Sequence, residues 1–140
     1  MRVLGYVRVS TASKGAGLEA QRRAIMAERQ RRGWHLVETI EDAGYSARDL
    51  RRPGIQEALR ALERGEASAL VVAKLDRLSR SMLDFSKLMA KATQEHWALV
   101  ALDVAVDTST PSGEAMANML ATFSQFERRL ISLRTKEARR

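Results

Sequence analysis

The run ASALVVAKL, residues 67–75, is almost uniformly apolar. A strand written this way has no polar side to give to water, so it must be covered on both faces, as strands of parallel sheets are. The rest of the chain supplies the covers. VLGYVRV (3–9) reads as a strand, and from Leu18 the segment LEAQRRAIMAERQRR is helical in composition and stops at Gly33. WHLVETI (34–40) is a second strand that runs into Glu41 and Asp42. After the loop AGYSARDLRRPG, rich in turn formers and arginine, Ile55, Leu59 and Leu62 recur at helical spacing until Gly65. SMLDFSKLMAKATQEH is helical, with Phe85, Leu88, Met89 and Ala92 on one face, and WALVALDVAV (97–106) is a fourth strand. This βαβαβαβ order predicts an α/β fold, a mostly parallel central sheet flanked by helices with right-handed crossovers. Working groups in such folds lie beyond the carboxyl ends of the strands, here just after Val9, Ile40, Leu75 and Val106.

At 140 residues the chain is expected to form one domain, and an apolar fraction of 45% argues against disorder as a description of the whole. A net charge of +7 favours a polyanionic partner, nucleic acid before an anionic membrane surface. The absence of cysteine removes disulfides, thiolate catalysis and cysteine-ligated zinc, and fits a reducing cytoplasm. No signal-peptide core and no apolar run of about 20 residues is present, so no membrane partner is expected.

The last segment changes character. Thr110-Pro111 is a helix-start signal, and Met116, Met119, Phe123, Phe126, Leu130 and Leu133 follow at alternating spacings of three and four. A helix from Ser112 to Glu137 would be about 39 Å long, against a radius of gyration of about 14 Å for a domain of this size. Its apolar seam therefore predicts a helical partner, with a second copy of the chain first in line. The plainer alternative is a helix folded wholly onto its own sheet.

Two strand ends crowd together groups suited to phosphate chemistry. Tyr6, Arg8 and Ser10 alternate with Val7 and Val9, so an extended chain projects all three from one face. Beyond the third strand comes LDRLSR, with Arg77 and Arg80 three residues apart. Neighbouring strand ends lie about 5 to 10 Å apart, which would bring Ser10 toward several guanidiniums. Guanidiniums keep their charge and match phosphate oxygens with forked donors, so a hydroxyl beside them suits attack on a phosphodiester. Asp76 either orients an arginine or handles a proton. His35 and His96 sit at no strand end, which leaves a Ser-His-Asp arrangement unsupported. Two other readings stay open at this point. Asp42, Asp76 and Asp103 or Asp107 could hold Mg²⁺ in a metal-dependent nuclease or phosphotransferase. Alternatively, a non-catalytic α/β module could use the arginines only to dock a phosphate.

In this order and spacing the motifs resemble those of the serine recombinases, the resolvase/invertase family, over essentially the whole chain. YVRVST resembles the nucleophile strand, with Ser10 as nucleophile and Arg8 as its partner arginine. LEAQ places Gln21 at the family's glutamine, RRPGIQEAL places Arg52 before the proline, and AKLDRLSRS carries over Asp76, Arg77 and Arg80. DTSTPSGEAM and FSQFERRLISLR resemble the entry and body of the family's long helix, with Glu127, Arg128 and Arg134 at familiar positions. The resemblance implies site-specific recombination of double-stranded DNA with no cofactor. Ser10 would form a 5′-phosphoserine link, and a homodimer would assemble into a tetramer for strand exchange. Residues 1–107 would be the α/β core, and residues 110–140 the start of a dimerisation helix. A bacterial, phage or mobile-element origin and a cytoplasmic location follow in the same way. Lys14 and the Gly15–Gly17 stretch depart from the shorter turn of many relatives, and Leu133 stands where an acidic residue is common. No helix-turn-helix or zinc-bearing segment is present, so a DNA-reading domain is expected to lie outside this chain.

Overall fold

The strand apolar on both sides stands in the middle of the sheet. The computed structural model describes residues 1–9, 16–43, 52–78, 82–120 and 122. Arg2–Val9 form β1, which pairs in parallel with β2 (His35–Ala43) on one side and β3 (Ala69–Val72) on the other. Beyond β3 lies β4 (Ala98–Ala101), also parallel, giving the order β2-β1-β3-β4-β5 among the described residues. Leu4 and Tyr6 of β1 and Leu70 and Val72 of β3 face the larger apolar cluster, with Ile55, Leu59, Phe85 and Leu88. Val3, Val7, Ala69 and Val71 face a smaller cluster with Ile25 and Trp34. The alternation along each strand thus feeds two cores, and the uniformly apolar composition is what a doubly covered sheet requires.

Helix α1 (Ala16–Arg32) covers the smaller cluster through Ile25 and Leu18. Helices α2 (Pro53–Glu63) and α4 (Met82–Glu95) cover the larger one. Gly33 and Gly65 take φ of +68° and +76°, conformations that cost glycine no Cβ clash, so both expected helix stops are real. Between β3 and α4 sits the short helix α3 (Leu75–Leu78).

Two expectations need correction. The third strand ends at Val72 rather than Leu75, because Asp103 Oδ1 accepts the Leu75 backbone N–H at 3.0 Å and starts α3 there. The fourth strand does not run through residues 97–106. It ends at Ala101, turns over 102–105, and returns as β5 (Val106–Asp107), antiparallel to β4. The left-handed position of that turn is Ala105, φ 54°, so the glycine that would announce the turn is absent. Residues 111–120 and 122 are helical and form α5 as far as it is described. Met116, Ala117 and Leu120 pack on the larger cluster, whereas Met119 is 67% exposed. Half of the expected seam's first pair is therefore used within the chain; Phe123, Phe126, Leu130 and Leu133 lie outside the described residues. No helix among the described residues is long and apolar enough to cross a membrane.

Candidate active site

The strand order reverses between β1 and β3: from β1 the chain moves outward to β2, then crosses back to β3. Such switch points open a crevice at the carboxyl ends of the two strands, the usual seat of function in open α/β sheets. Arg8 stands at that end of β1, on the same side as Leu4 and Tyr6, and is only 2% exposed. Its backbone is gripped by Gln21 of α1. The Arg8 N–H donates to Gln21 Oε1 at 3.0 Å, and Gln21 Nε2 donates to the Arg8 carbonyl at 2.9 Å and to Gly17 O at 3.1 Å. A carboxamide offers one acceptor and two donors, so it can imitate a neighbouring strand where a helix passes instead.

From this anchored backbone the Arg8 guanidinium crosses to the segment after β3. Its Nε donates to Arg77 O at 3.1 Å and its Nη2 to Asp76 O at 3.4 Å. Arg52, immediately before α2 and 3% exposed, reaches the same segment. Arg52 Nη1 donates to Arg77 O at 3.0 Å and to the Tyr6 hydroxyl at 3.0 Å, while Nη2 donates to Leu78 O. Two guanidiniums from different elements thus converge on one carbonyl. The burial of the two charges is offset by carbonyl acceptors and by the Tyr6 hydroxyl, which itself donates to one carboxylate.

That carboxylate is Asp42, at the end of β2. Tyr6 Oη donates to Asp42 Oδ2 at 2.7 Å, and the backbone N–H groups of Gly54 and Ile55 donate to the two carboxylate oxygens at 2.8 and 3.0 Å. Helix α2 has Pro53 in its first turn and no cap from Arg52's own side chain, so Asp42 caps it from a distance. The approach requires glycine: a Cβ on Gly54 would stand 2.7 Å from the carboxylate. Tyr6 lies 5.5 Å beneath the Arg52 guanidinium carbon, within cation–π range. Burial, then the hydrogen bond to Asp42, pushes the Tyr6 phenol well above its ordinary pKa, against the pull of Arg52. The shift keeps the hydroxyl protonated, as a donor to Asp42, around neutral pH.

Arg77 completes the described cluster, with Nε 3.7 Å from Asp76 Oδ1 and no closer hydrogen-bond partner among the described residues. The arrangement concentrates fixed positive charge in a crevice one residue downstream of which, in the chain, Ser10 follows Val9. Ser10 and Arg80 themselves lie outside the described residues.

The sequence model of the family described as Resolvase, N terminal domain, matches residues 3–140. The chain belongs to this resolvase family. The DNA-invertase of Enterobacteria phage P7 is 37% identical over 134 residues, 96% of this chain and 66% of that protein. The serine recombinase gin of Escherichia phage Mu is 34% identical over 133 residues, covering 95% of this chain and 63% of its own length. The chain thus spans slightly under two thirds of these relatives. Among solved structures, the N-terminal catalytic domain of TP901-1 integrase superposes with a TM-score of 0.83 at 30% identity, covering 93% of this chain and 98% of that one. A resolvase family site-specific recombinase from Streptococcus pneumoniae gives 0.80 at 25% identity, over 99% and 95% of the two chains.

For this resolvase-family chain, the structure brings Arg8, Gln21, Arg52, Asp76 and Arg77 to one end of the sheet. It differs from the sequence reading in what some side chains do. Gln21 spends its amide on β1 and Gly17 backbone. Asp42, a candidate metal ligand in the sequence, caps α2. Asp103 and Asp107 are also committed, Asp103 to α3 and Asp107 to Arg32 and Ser109. Among the described residues no group of three His, Asp or Glu side chains is placed to hold a metal ion. The Tyr6–Asp42 pair was the part least legible in the sequence. Its one signal is that Tyr6 shares the strand face of Arg8.

Proposed function

We propose that this chain is the catalytic domain of a site-specific DNA recombinase, with Ser10 as the nucleophile. The observation that carries the reading is the convergence of Arg8 and Arg52 on the backbone at residues 76–78, at the mouth of the strand that leads into Ser10. Ser10 Oγ attacks a DNA phosphorus and loses its proton as the new P–O bond forms. The bond to the 3′ oxygen breaks, and that oxygen takes up a proton to leave as a 3′-hydroxyl. The 5′-phosphoserine link conserves the phosphodiester's energy, so rejoining is the same step run backward on a new partner strand. Arg8, Arg52, Arg77 and Arg80 hold the phosphate and meet the charge that develops on its equatorial oxygens. Asp76 orients Arg77, and Gln21 keeps the end of β1 in register.

Residues 1–107 form the core of this reading and 110–140 an assembly helix, through which dimers and then a tetramer bring two duplexes together. The place of action is the cytoplasm of a bacterial host. A metal-dependent nuclease reading loses Asp42, Asp103 and Asp107, each occupied by protein donors.

A suicide DNA substrate tests the assignment. Wild type traps a covalent protein–DNA adduct in EDTA, and Ser10→Ala binds the same DNA but traps none. An adduct with Ser10→Ala would sink the nucleophile assignment, and abolition of cleavage by EDTA would return the metal reading.

A further inference from the structure

The tip of α1 meets the start of α5 across a groove of about 510 Å³. One wall carries Glu28, Arg31 and Arg32; the other carries Thr110, Ser112 and Gly113; the floor is the end of β4 with β5. Arg32 spans it. Its Nε binds Glu28 Oε2 at 2.9 Å, its Nη1 binds Asp107 Oδ2, and its guanidinium carbon lies 4.7 Å from the Trp34 ring centroid. Asp107 in turn holds the entry of α5. Its carbonyl accepts from Thr110 N and Thr110 Oγ1, both at 3.1 Å, and its side chain accepts from Ser109 N at 2.9 Å. Thr110 caps the helix through Gly113 N at 3.1 Å, and the first turn sits so close that a Cβ on Gly113 would stand 2.3 Å from the Asp107 carbonyl oxygen.

We infer that Arg32 and Asp107 form an ionic latch that fixes the first turn of α5 against the edge of the sheet. On the groove side the pair ties the α1 wall to Asp107 on the floor, which in turn holds Ser109 and Thr110 at the entry of α5, whereas on the opposite side α5 is held by the apolar contacts of Met116, Ala117 and Leu120. An apolar contact keeps a helix down but lets it rotate or slide; a charge-assisted hydrogen bond from an arginine whose other branch is held by Glu28, made to a residue one turn before the helix, fixes its direction. Two arginines facing two carboxylates leave the groove with no net charge, so it is read as a joint and not as an anion site. Where α5 is the assembly helix, a consequence that rests on the function proposed above, the latch sets the angle at which that helix meets its partner.

Amide hydrogen exchange on the 140-residue chain tests it. Arg32→Gln should speed exchange at Thr110, Gly113 and Glu114 by about threefold to fivefold, the range expected for a modest ion pair, and leave β1 and β3 unchanged. Raising NaCl from about 0.05 to about 1 M should do the same to wild type and add nothing in Arg32→Gln. The double variant Asp107→Asn with Arg32→Gln should have an effect smaller than the sum of the two single effects in free energy, as coupled partners do. Unchanged exchange at the three amides overturns the latch, and so does equal acceleration throughout the sheet. If Arg32→Gln does not fold, Arg32→Lys, which keeps the charge without the fork, is read by the same criteria. Sedimentation separates the two ideas: a local response with no concentration-dependent association in either protein keeps the latch and removes the assembly role.

Discussion

Tyr6 is worth more to this site than its chemistry alone suggests. Its hydroxyl is shared between Asp42 and Arg52, so it links the cap of α2 to the arginine that leads into that helix. Tyr6→Phe would leave both partners short of a buried hydrogen bond, at a cost of about 1–2 kcal/mol. For a chain of this length that lowers Tm by roughly 3–8 °C, measurable by thermal denaturation. On the proposed mechanism, covalent adduct formation should fall further, by on the order of tenfold, because Arg52 would then be displaced from the phosphate it holds. Equal activity at equal folded concentration would show that Tyr6 serves stability alone. Ion pairs elsewhere are legible by spacing: Glu28 meets Arg31 and Arg32 at three and four residues on α1. Arg31's hydrogen bond, opposed by burial and aided by Arg32, draws the Glu28 carboxyl down to about 2. A lowered folded-state pKa stabilises above the ordinary value of 4.5, and that stability is lost as pH falls toward about 2. Melts of wild type and Glu28→Gln should therefore differ at pH 7 and converge near pH 2.

Helix α5, as far as it is described, carries an apolar residue on its water face. Met116, Ala117 and Leu120 face the core while Met119 faces water. An exposed methionine contributes little to folding, so Met119→Lys should leave Tm nearly unchanged, within about 0.5 kcal/mol of stability. The same substitution should weaken a concentration-dependent dimer in sedimentation at micromolar protein. A dimer unaffected by Met119→Lys would move the interface to another face. Strand β5 shows the opposite case, an element of two residues with no sequence signal, held by pairing with β4 and by Asp107's contacts to Arg32 and Ser109.

For the whole molecule the governing quantity is charge. With a formal net charge of +7 and arginines gathered at the crevice, duplex binding should release counterions, and log K should fall linearly with log salt. If Arg77 contacts a phosphate as proposed, Arg77→Gln should make that slope shallower by about one and weaken binding alike across sequences. A slope unchanged by the substitution would place Arg77 away from the backbone of DNA.

Local composition was enough to read the α/β class, the two glycine-stopped helices and the placing of Arg8 and Arg77 near neighbouring strand ends, because periodicity and punctuation are properties of neighbouring positions; Arg52 and Gln21 were singled out only by the resemblance to a family. Local pattern was enough to relate Tyr6 to Arg8, since alternate residues on a strand must share a face. It was not enough to tell Asp42 as a cap from Asp42 as a metal ligand. A carboxylate's role depends on which donors the fold brings to it, and here these come from Tyr6, 36 positions back along the chain, and from the first turn of α2. The meeting of Arg8 with Arg77, 69 positions apart, and of Arg32 with Asp107, 75 apart, likewise exists only once β1 and β3 are paired and α1 lies across the sheet. Long-range partners are set by packing, and packing is a property of the whole chain.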